Sequence, residues 1–331
     1  MDRYSNSENK QAEPDDDEAP IYGTRFKEAK RKKFAPREGI TKRSFEANAD
    51  VQRWLSESQE EEGAKAPFAP EALVGRRDSE WVLSSLTHFY EQDLIADVLR
   101  EVKSGKEATV FCCTGGPAAE SPLMAAKIYR PRMFRSLSND AQYREGRTVR
   151  NESGKNVRLT GKGVPSRASA KGRAFQVSSW IGYEYAAQEL AYSLGVRTPR
   201  PYAQTGNGLL MQYLGDAESV APRLCEIQVD RGGAQDLLDG LIEDIEKLLA
   251  GHRIHGDLSV YNILAWQGEP YIIDFAQAVD PRQGDDARTL LARDVERVAA
   301  ALKPYGARCD ARAVADRLWW DYLQDDLTLQ V

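Results

Sequence analysis

The sequence predicts an α+β fold in two lobes, a small antiparallel β-rich lobe followed by a helical one. Three features point there. Short β-branched or apolar runs separated by turn residues fill the stretch from Val98 to Tyr129. Long helix-like stretches follow, "WIGYEYAAQELAYSLG" from Trp180 and "AQDLLDGLIEDIEKLLAGHRI" from Ala234. Between the second of these and a further strand lies "HGDLSVYNIL", His255 to Leu264, which sets a histidine, an aspartate and an asparagine in a mostly apolar run.

Composition narrows the function classes before any motif is read. The 331 residues are 41% hydrophobic and 29% charged, enough for a sizeable core over most of the length. A net charge of -6 argues against indiscriminate nucleic-acid binding by the whole chain, although a local patch could still do so. No apolar run approaches the roughly 20 residues that cross a bilayer, and the start, "MDRYSNSENK", has no apolar signal-peptide core. The four cysteines form no CxxC and there are three histidines, so a zinc site is not expected. The adjacent Cys112 and Cys113 read as small strand residues in a reducing compartment. The expectation is a soluble, cytoplasmic protein without a membrane partner.

Residues 1–75 read as a disordered, charged N-terminal segment. Acidic "DDDEAP" at Asp15–Pro20 precedes basic "KRKKFAPR" at Lys30–Arg37, and such a composition buries too little apolar surface to offset the entropy of ordering. Its aromatic residues, Tyr22, Phe26, Phe34, Phe45 and Trp54, leave docking on a partner as the alternative. Residues 76–210 read as a helix followed by the β-rich lobe. In "SEWVLSSLTHFYEQDL" the apolar positions Trp81, Val82, Leu86, Phe89 and Tyr90 have helical spacing, with Asp78 or Ser79 as N-cap. "VLREV", "ATVFCC" and "LMAAKIY" then read as three antiparallel strands, joined by the turn-forming "KSGKE" and "TGGPAAESP".

The stretch 130–175 breaks this pattern with twelve Lys and Arg against three acids, and reads as a basic, flexible insertion. A helix from Trp180 ends at Gly195 as C-cap, and "LLMQYLG" reads as a strand leaving the core. Residues 211–331 form the helical lobe. Its first helix carries Leu237, Leu238, Leu241, Ile242, Ile245, Leu248 and Leu249 on one face. "EPYIIDFAQAV" is a strand running into a loop, and the remainder reads as helical.

The chemistry concentrates in the second lobe. His255-Gly256-Asp257 followed by Asn262 reproduces the spacing of the catalytic loop H-R-D-x-x-x-x-N of protein kinases, with Gly256 in the arginine position. Asp257 would accept and align an attacking hydroxyl, Asn262 would hold a metal on nucleotide phosphates, and His255 would pack the loop. Asp274 in "YIIDFAQ" stands at a strand end, where a metal-binding carboxylate belongs, and the string is close to D-F-G with Ala276 for glycine. Unrelated surface aspartates are the bland alternative, against which strand context and spacing both weigh. In "AAKIY" Lys127 sits in an apolar strand, which is costly unless an anion meets it. A helix glutamate would pair with it, Glu184 first and Glu189 second; an edge-strand lysine with its head in water is the plain reading. Upstream, "SGKEATVF" offers one glycine, Gly105, for a tight turn whose N–H groups face a phosphate, flanked by Ser104 and Lys106.

Together these pieces resemble the RIO family of atypical serine protein kinases over about Glu101 to Leu302. "SGKEATVF" looks like that family's shortened phosphate loop, "HGDLSVYNIL" like its catalytic loop and "IIDFAQAV" like its metal loop. The resemblance implies a bilobal protein-kinase-like fold with a shortened C-lobe, lacking an activation segment and late C-lobe helices. The 57 residues after Asp274, which contain no A-P-E string, agree with that expectation. It implies Asp257 as catalytic aspartate, Asn262 and Asp274 as metal ligands, and Lys127 with Glu184 at the phosphates. Ser104, Gly105, Lys106 and Val110 would contact the nucleotide, Met211 would be the gatekeeper, and Gln212, Tyr213 and Leu214 the adenine hinge.

The implied cofactors are ATP and Mg2+, with Mn2+ as a substitute, and the implied activity is serine kinase, ATPase, or both. Implied partners are a protein substrate or the chain itself, with autophosphorylation at Ser136 or Ser138. A maturing small ribosomal particle or RNA would be met through the basic 130–175 stretch. No winged-helix pattern is assigned in the N-terminal segment. Two other classes compete. Small-molecule phosphotransferases of the aminoglycoside or choline kinase type share H-G-D-x-x-x-x-N, but spend a long helical region after the metal aspartate on their substrate. A non-enzymatic scaffold with a structural nucleotide would have no reason to keep Lys127, Asp257, Asn262 and Asp274 together.

Overall fold

The computed structural model describes residues 66–130, 149–150, 156–157, 170–283 and 285–328, all within one compact unit, Ser44–Val331. Helix α1, Ser79–Glu91, opens the β-rich lobe and buries Trp81, Val82, Ser85, Leu86 and Phe89. That i, i+1, i+4, i+5, i+8 spacing is one face of a 3.6-residue helix. Asp78 stands at its N-cap, but the carboxylate pairs with Arg76 at 3.1 Å and makes no capping bond.

Five antiparallel strands form the sheet, in the order β1-β2-β3-β7-β6. They are β1 Ile95–Ser104, β2 Ala108–Gly115, β3 Leu123–Tyr129, β6 Pro201–Thr205 and β7 Gly208–Gln212. Two short strands, β4 Val149–Arg150 and β5 Asn156–Val157, pair with each other inside the basic stretch. Alternation divides the sheet between two cores. Phe111, Cys113, Met124, Ala126, Ile128 and Leu210 pack with α1 on one face. Cys112, Ala125 and Tyr213 group on the other, with Val102, Val110 and Met211 against them.

Helix α2 spans Ala170–Ser193 and so begins ten residues before the tryptophan at which apolar periodicity starts. Once nucleated, a helix extends through residues of adequate propensity whether or not they carry a stripe, so the pattern marks too late a start. The last residues of the stretch read as a flexible insertion are therefore helical. Gly195, at φ 73°, takes the left-handed turn that ends the helix. Strand β6 has no counterpart in the sequence reading; all five of its residues are half-buried, so it lacks the strong alternation that would reveal it.

The helical lobe consists of α3 Ala234–Ala250, the hairpin of β8 Ile263–Trp266 and β9 Glu269–Ile272, α4 Ala287–Leu302 and α5 Ala311–Thr328. Leu238, Leu241, Ile245, Leu248 and Leu249 of α3 join Leu291, Val295, Val298 and Leu302 of α4 in its core. The core extends beneath the loops that carry Asp257 and Asp274 through Leu258, Ile263, Ile272 and Phe275. Much of the N-terminal segment, together with Ser136 and Ser138, lies outside the described residues. Among the described residues no helix is long and apolar enough to cross a membrane.

Candidate active site

Lys127 points from β3 into the space between the lobes, where its Nζ donates to Glu184 Oε1 at 2.7 Å and to Asp274 Oδ1 at 3.1 Å. Three elements distant in sequence thus meet at one ammonium. Of the two glutamates left open by the sequence, Glu184 is the partner, and it is 2% exposed. Burial opposes the charge on Lys127, but the carboxylates of Asp274 and Glu184 outweigh it and hold the lysine well above its ordinary pKa. Burial pushes the Glu184 carboxyl up, with Lys127 opposing. Lys127 keeps the Asp274 carboxyl below the usual carboxylate range, outweighing the partial desolvation that would raise it.

Asp274 adopts the left-handed region at φ 70°. Aspartate tolerates that conformation better than most residues, and such outliers cluster at functional sites. The next three residues, Phe275–Gln277, form a single tight turn with Phe275 and Ala276 buried, so the metal-loop string is pinned from below.

The catalytic loop is fixed by backbone contacts on both sides. Asn262 Nδ2 donates to the Asp257 carbonyl at 2.8 Å, which leaves its amide oxygen as an acceptor. The Ile273 N–H donates to the Asn262 carbonyl at 2.9 Å, tying this loop to the metal loop. His255 is buried, packs against Phe275 with ring centroids 5.1 Å apart, and holds the Ile273 carbonyl at 3.1 Å through Nε2. Its Nδ1 accepts from the Asp257 N–H at 3.3 Å, so the imidazole braces the loop from behind. Gly256 lies at φ 77°, and a Cβ there would come within 2.5 Å of the Gln277 carbonyl. The arginine position of the kinase loop is closed here to any side chain.

Contacts that reach this loop from α4, by Arg293 to the Gly256 carbonyl and by Asp294 and Arg297, leave no local signal in the sequence. Buried Asp294 accepts from the Gly256 N–H at 2.7 Å and the Leu258 N–H at 3.0 Å. Burial raises its carboxyl, with His255 and the two N–H groups opposing. Arg297 donates to Asp257 Oδ1 at 2.8 Å, with both side chains partly open to solvent. Partners nearly forty residues apart are joined by the packing of α4 under the loop, not by spacing along the chain.

The nucleotide-contacting candidates lie on the sheet side. Ser104 ends β1, Gly105 and Lys106 turn the chain, and the Gly105 N–H is taken by the Ala108 carbonyl at 2.9 Å. Arg130, just after β3, reaches back to the Ser104 hydroxyl and to Thr109 Oγ1. Val110 and Met211 flank the apolar patch with Ala125 and Tyr213, and Gln188 Nε2 contacts Met211 Sδ at 3.7 Å. The Gln212 N–H is bonded to the Arg200 carbonyl at 2.7 Å and the Leu214 carbonyl receives the Ala221 N–H at 2.9 Å. Tyr213 is buried, with its hydroxyl accepting from Arg100 Nη2 at 2.5 Å.

Among the described residues no group of three or more His, Cys, Asp or Glu side chains could cage an ion. The bond from the Ile273 N–H to the Asn262 carbonyl sets one carboxylate, Asp274, and one amide oxygen, that of Asn262, on adjoining loops. Hard oxygen ligands in that small number fit a Mg2+ ion that takes its other ligands from phosphates and water.

A model of the RIO domain matches residues 123–314 of this chain. The RIO-type serine/threonine-protein kinase Rio1 of Haloferax volcanii is 31% identical over 230 residues, covering 68% of this chain and 69% of that protein. The serine/threonine-protein kinase rio1 of Schizosaccharomyces pombe is 26% identical over 247 residues, covering 71% of this chain but 45% of that protein. Among solved structures, the Rio2 kinase from Chaetomium thermophilum aligns with a TM-score of 0.48 at 17% identity, over 84% of this chain and 88% of that one.

Proposed function

The chain belongs to the RIO family and is an ATP-dependent serine/threonine protein kinase, and from that premise we propose which of its residues carry the transfer. The observation that bears most weight is the Lys127 ammonium standing 3.1 Å from Asp274 and 2.7 Å from Glu184. It brings a phosphate-binding cation from the sheet beside a metal-binding carboxylate from the helical lobe.

In this reading Val110 and Met211 line the adenine side of the cleft, and Gln212 to Leu214 form the hinge. Ser104, Gly105 and Lys106 meet the phosphates from the β1–β2 turn, and Lys127, set by Glu184, meets them from below. Asp274 and the Asn262 amide oxygen would hold Mg2+, or Mn2+ in its place, which supplies charge neutralisation on the phosphates. Asp257 accepts the hydroxyl proton of the attacking serine and aligns its oxygen. Arg297 fixes the rotamer of that carboxylate from α4.

The acceptor is a protein or the chain itself, with Ser136 and Ser138 as candidate autophosphorylation sites. The basic stretch 130–175 supports an RNA-bearing partner such as a ribosomal particle, and we place the protein in the cytoplasm. The test is transfer from γ-labelled ATP in the presence of Mg2+, offered protein acceptors alongside aminoglycosides and choline. Label on protein is expected, and Asp274→Ala should abolish it. Label on the small molecules with none on protein would overturn the reading.

A further inference from the structure

We infer that Tyr129 is a positioning residue for nucleotide binding, holding Glu184 in the place from which it sets Lys127; this rests on the phosphate role proposed above for Lys127. Lys127 and Tyr129 are two residues apart on β3 and therefore share one face of the strand. Lys127 Nζ donates to Glu184 Oε1, and the Tyr129 hydroxyl donates to the other oxygen, Oε2. Glu184 is 2% exposed and Tyr129 1%, so neither carboxylate oxygen has ready access to water. Each oxygen thus has one donor, and the tyrosine supplies half of the support for this buried anion.

The phenol is itself held firmly. Its ring packs edge-on against Trp180 with centroids 5.2 Å apart, and Lys127 Nζ lies 5.1 Å from its centroid. The Tyr129 carbonyl accepts from Trp81 Nε1 of α1 at 2.8 Å and from Asn207 Nδ2 at 3.1 Å. The Tyr129 N–H donates to the Asn207 carbonyl at 2.9 Å, and Ser85 of α1 donates to Asn207 Oδ1 at 2.8 Å. With its backbone tied to α1 and to the β6–β7 turn, the hydroxyl has a fixed origin. Without it, Glu184 Oε2 would be buried with no donor, a costly state that the carboxylate can relieve only by rotating. Rotation would draw Oε1, and the Lys127 head bonded to it, out of register with the phosphates.

The test is a double-mutant cycle read in nucleotide affinity rather than turnover, using a fluorescent ATP analogue with Mg2+ and the full chain. Tyr129→Phe keeps the ring and its contact with Trp180, so the protein should fold. It is expected to weaken binding about 5- to 10-fold, the scale of one typical net hydrogen bond. In a Glu184→Ala background the same change should have no further effect, because the tyrosine acts through the glutamate. Glu184→Asp, which keeps the charge but withdraws it from the two donors, is the second variant. It should weaken binding by a similar factor, and Tyr129→Phe should not deepen that loss. Unchanged affinity in Tyr129→Phe, or a full additional loss in either glutamate background, would overturn the inference. A wild-type protein that fails to bind the analogue, or a Lys127→Ala variant that binds it as tightly as wild type, would instead overturn the role assigned to Lys127.

Discussion

Asp257 makes one side-chain contact that sequence spacing could not disclose, the ion pair with Arg297 at 2.8 Å. Both groups are partly solvated, so the pair is worth about 1 kcal/mol or less. Arg297→Ala is accordingly expected to lower kcat about five-fold while leaving ATP affinity intact. Arg297→Lys should recover part of the loss, as should free guanidinium added well below denaturing concentration. A rise in the KM for ATP with kcat unchanged would contradict a role at Asp257. At the same scale the sequence was most informative where chemistry is dense along the chain. Asp257, Asn262, Asp274 and Lys127 were each legible because the residue type is out of keeping with its apolar surroundings. Asp294, Arg297 and the Tyr129 hydroxyl were not, because their meaning depends on partners about 40 to 55 residues away.

At the scale of elements, the catalytic and metal loops are held by mutual contact, and Gly256 leaves no room for a side chain between them. Gly256→Ala forces a Cβ against the Gln277 carbonyl in a left-handed conformation. It should cost about 1–3 kcal/mol of stability and lower transfer, read by thermal unfolding beside an activity assay. The exit from the metal loop is fastened by Asp280, which accepts from the Arg282 N–H at 3.0 Å and from its guanidinium at 2.9 and 2.7 Å. Burial would raise that carboxyl, but these bonds and the nearby Arg253 outweigh it and hold it below its ordinary value. A carboxyl depressed in the folded state contributes stability above its unfolded pKa, near 3.9, and loses it as pH falls through the folded value. Asp280→Asn should thus be less stable by about 1–3 kcal/mol at neutral pH, with the difference from wild type shrinking below about pH 4. The elements themselves were read unevenly. The strands β1 to β3 were legible as apolar or β-branched runs between turn residues, and helix α3 as an apolar stripe of helical period, whereas β6 is half-buried throughout and the sequence of the first ten residues of α2 carries no apolar period.

At the scale of the whole molecule, Lys127 of the sheet bonds Asp274 of the helical lobe across the cleft at 3.1 Å. A nucleotide that binds there contacts both lobes and only in the folded state. Saturating ATP with Mg2+, at about 100 times its dissociation constant, should therefore add roughly 2.7 kcal/mol and raise the thermal midpoint by about 5 °C. A chelator or Asp274→Ala should remove most of that shift, while Asp257→Ala should leave it. The division of labour behind this expectation is the central claim: Lys127, Asn262 and Asp274 hold Mg·ATP, and Asp257 makes the transfer happen. It is tested most directly by measuring, on the same Asp257→Ala preparation, Mg·ATP affinity and label transferred to protein from γ-labelled ATP. Affinity near that of the wild type with no transfer is the predicted result; label transfer at the wild-type rate would contradict it.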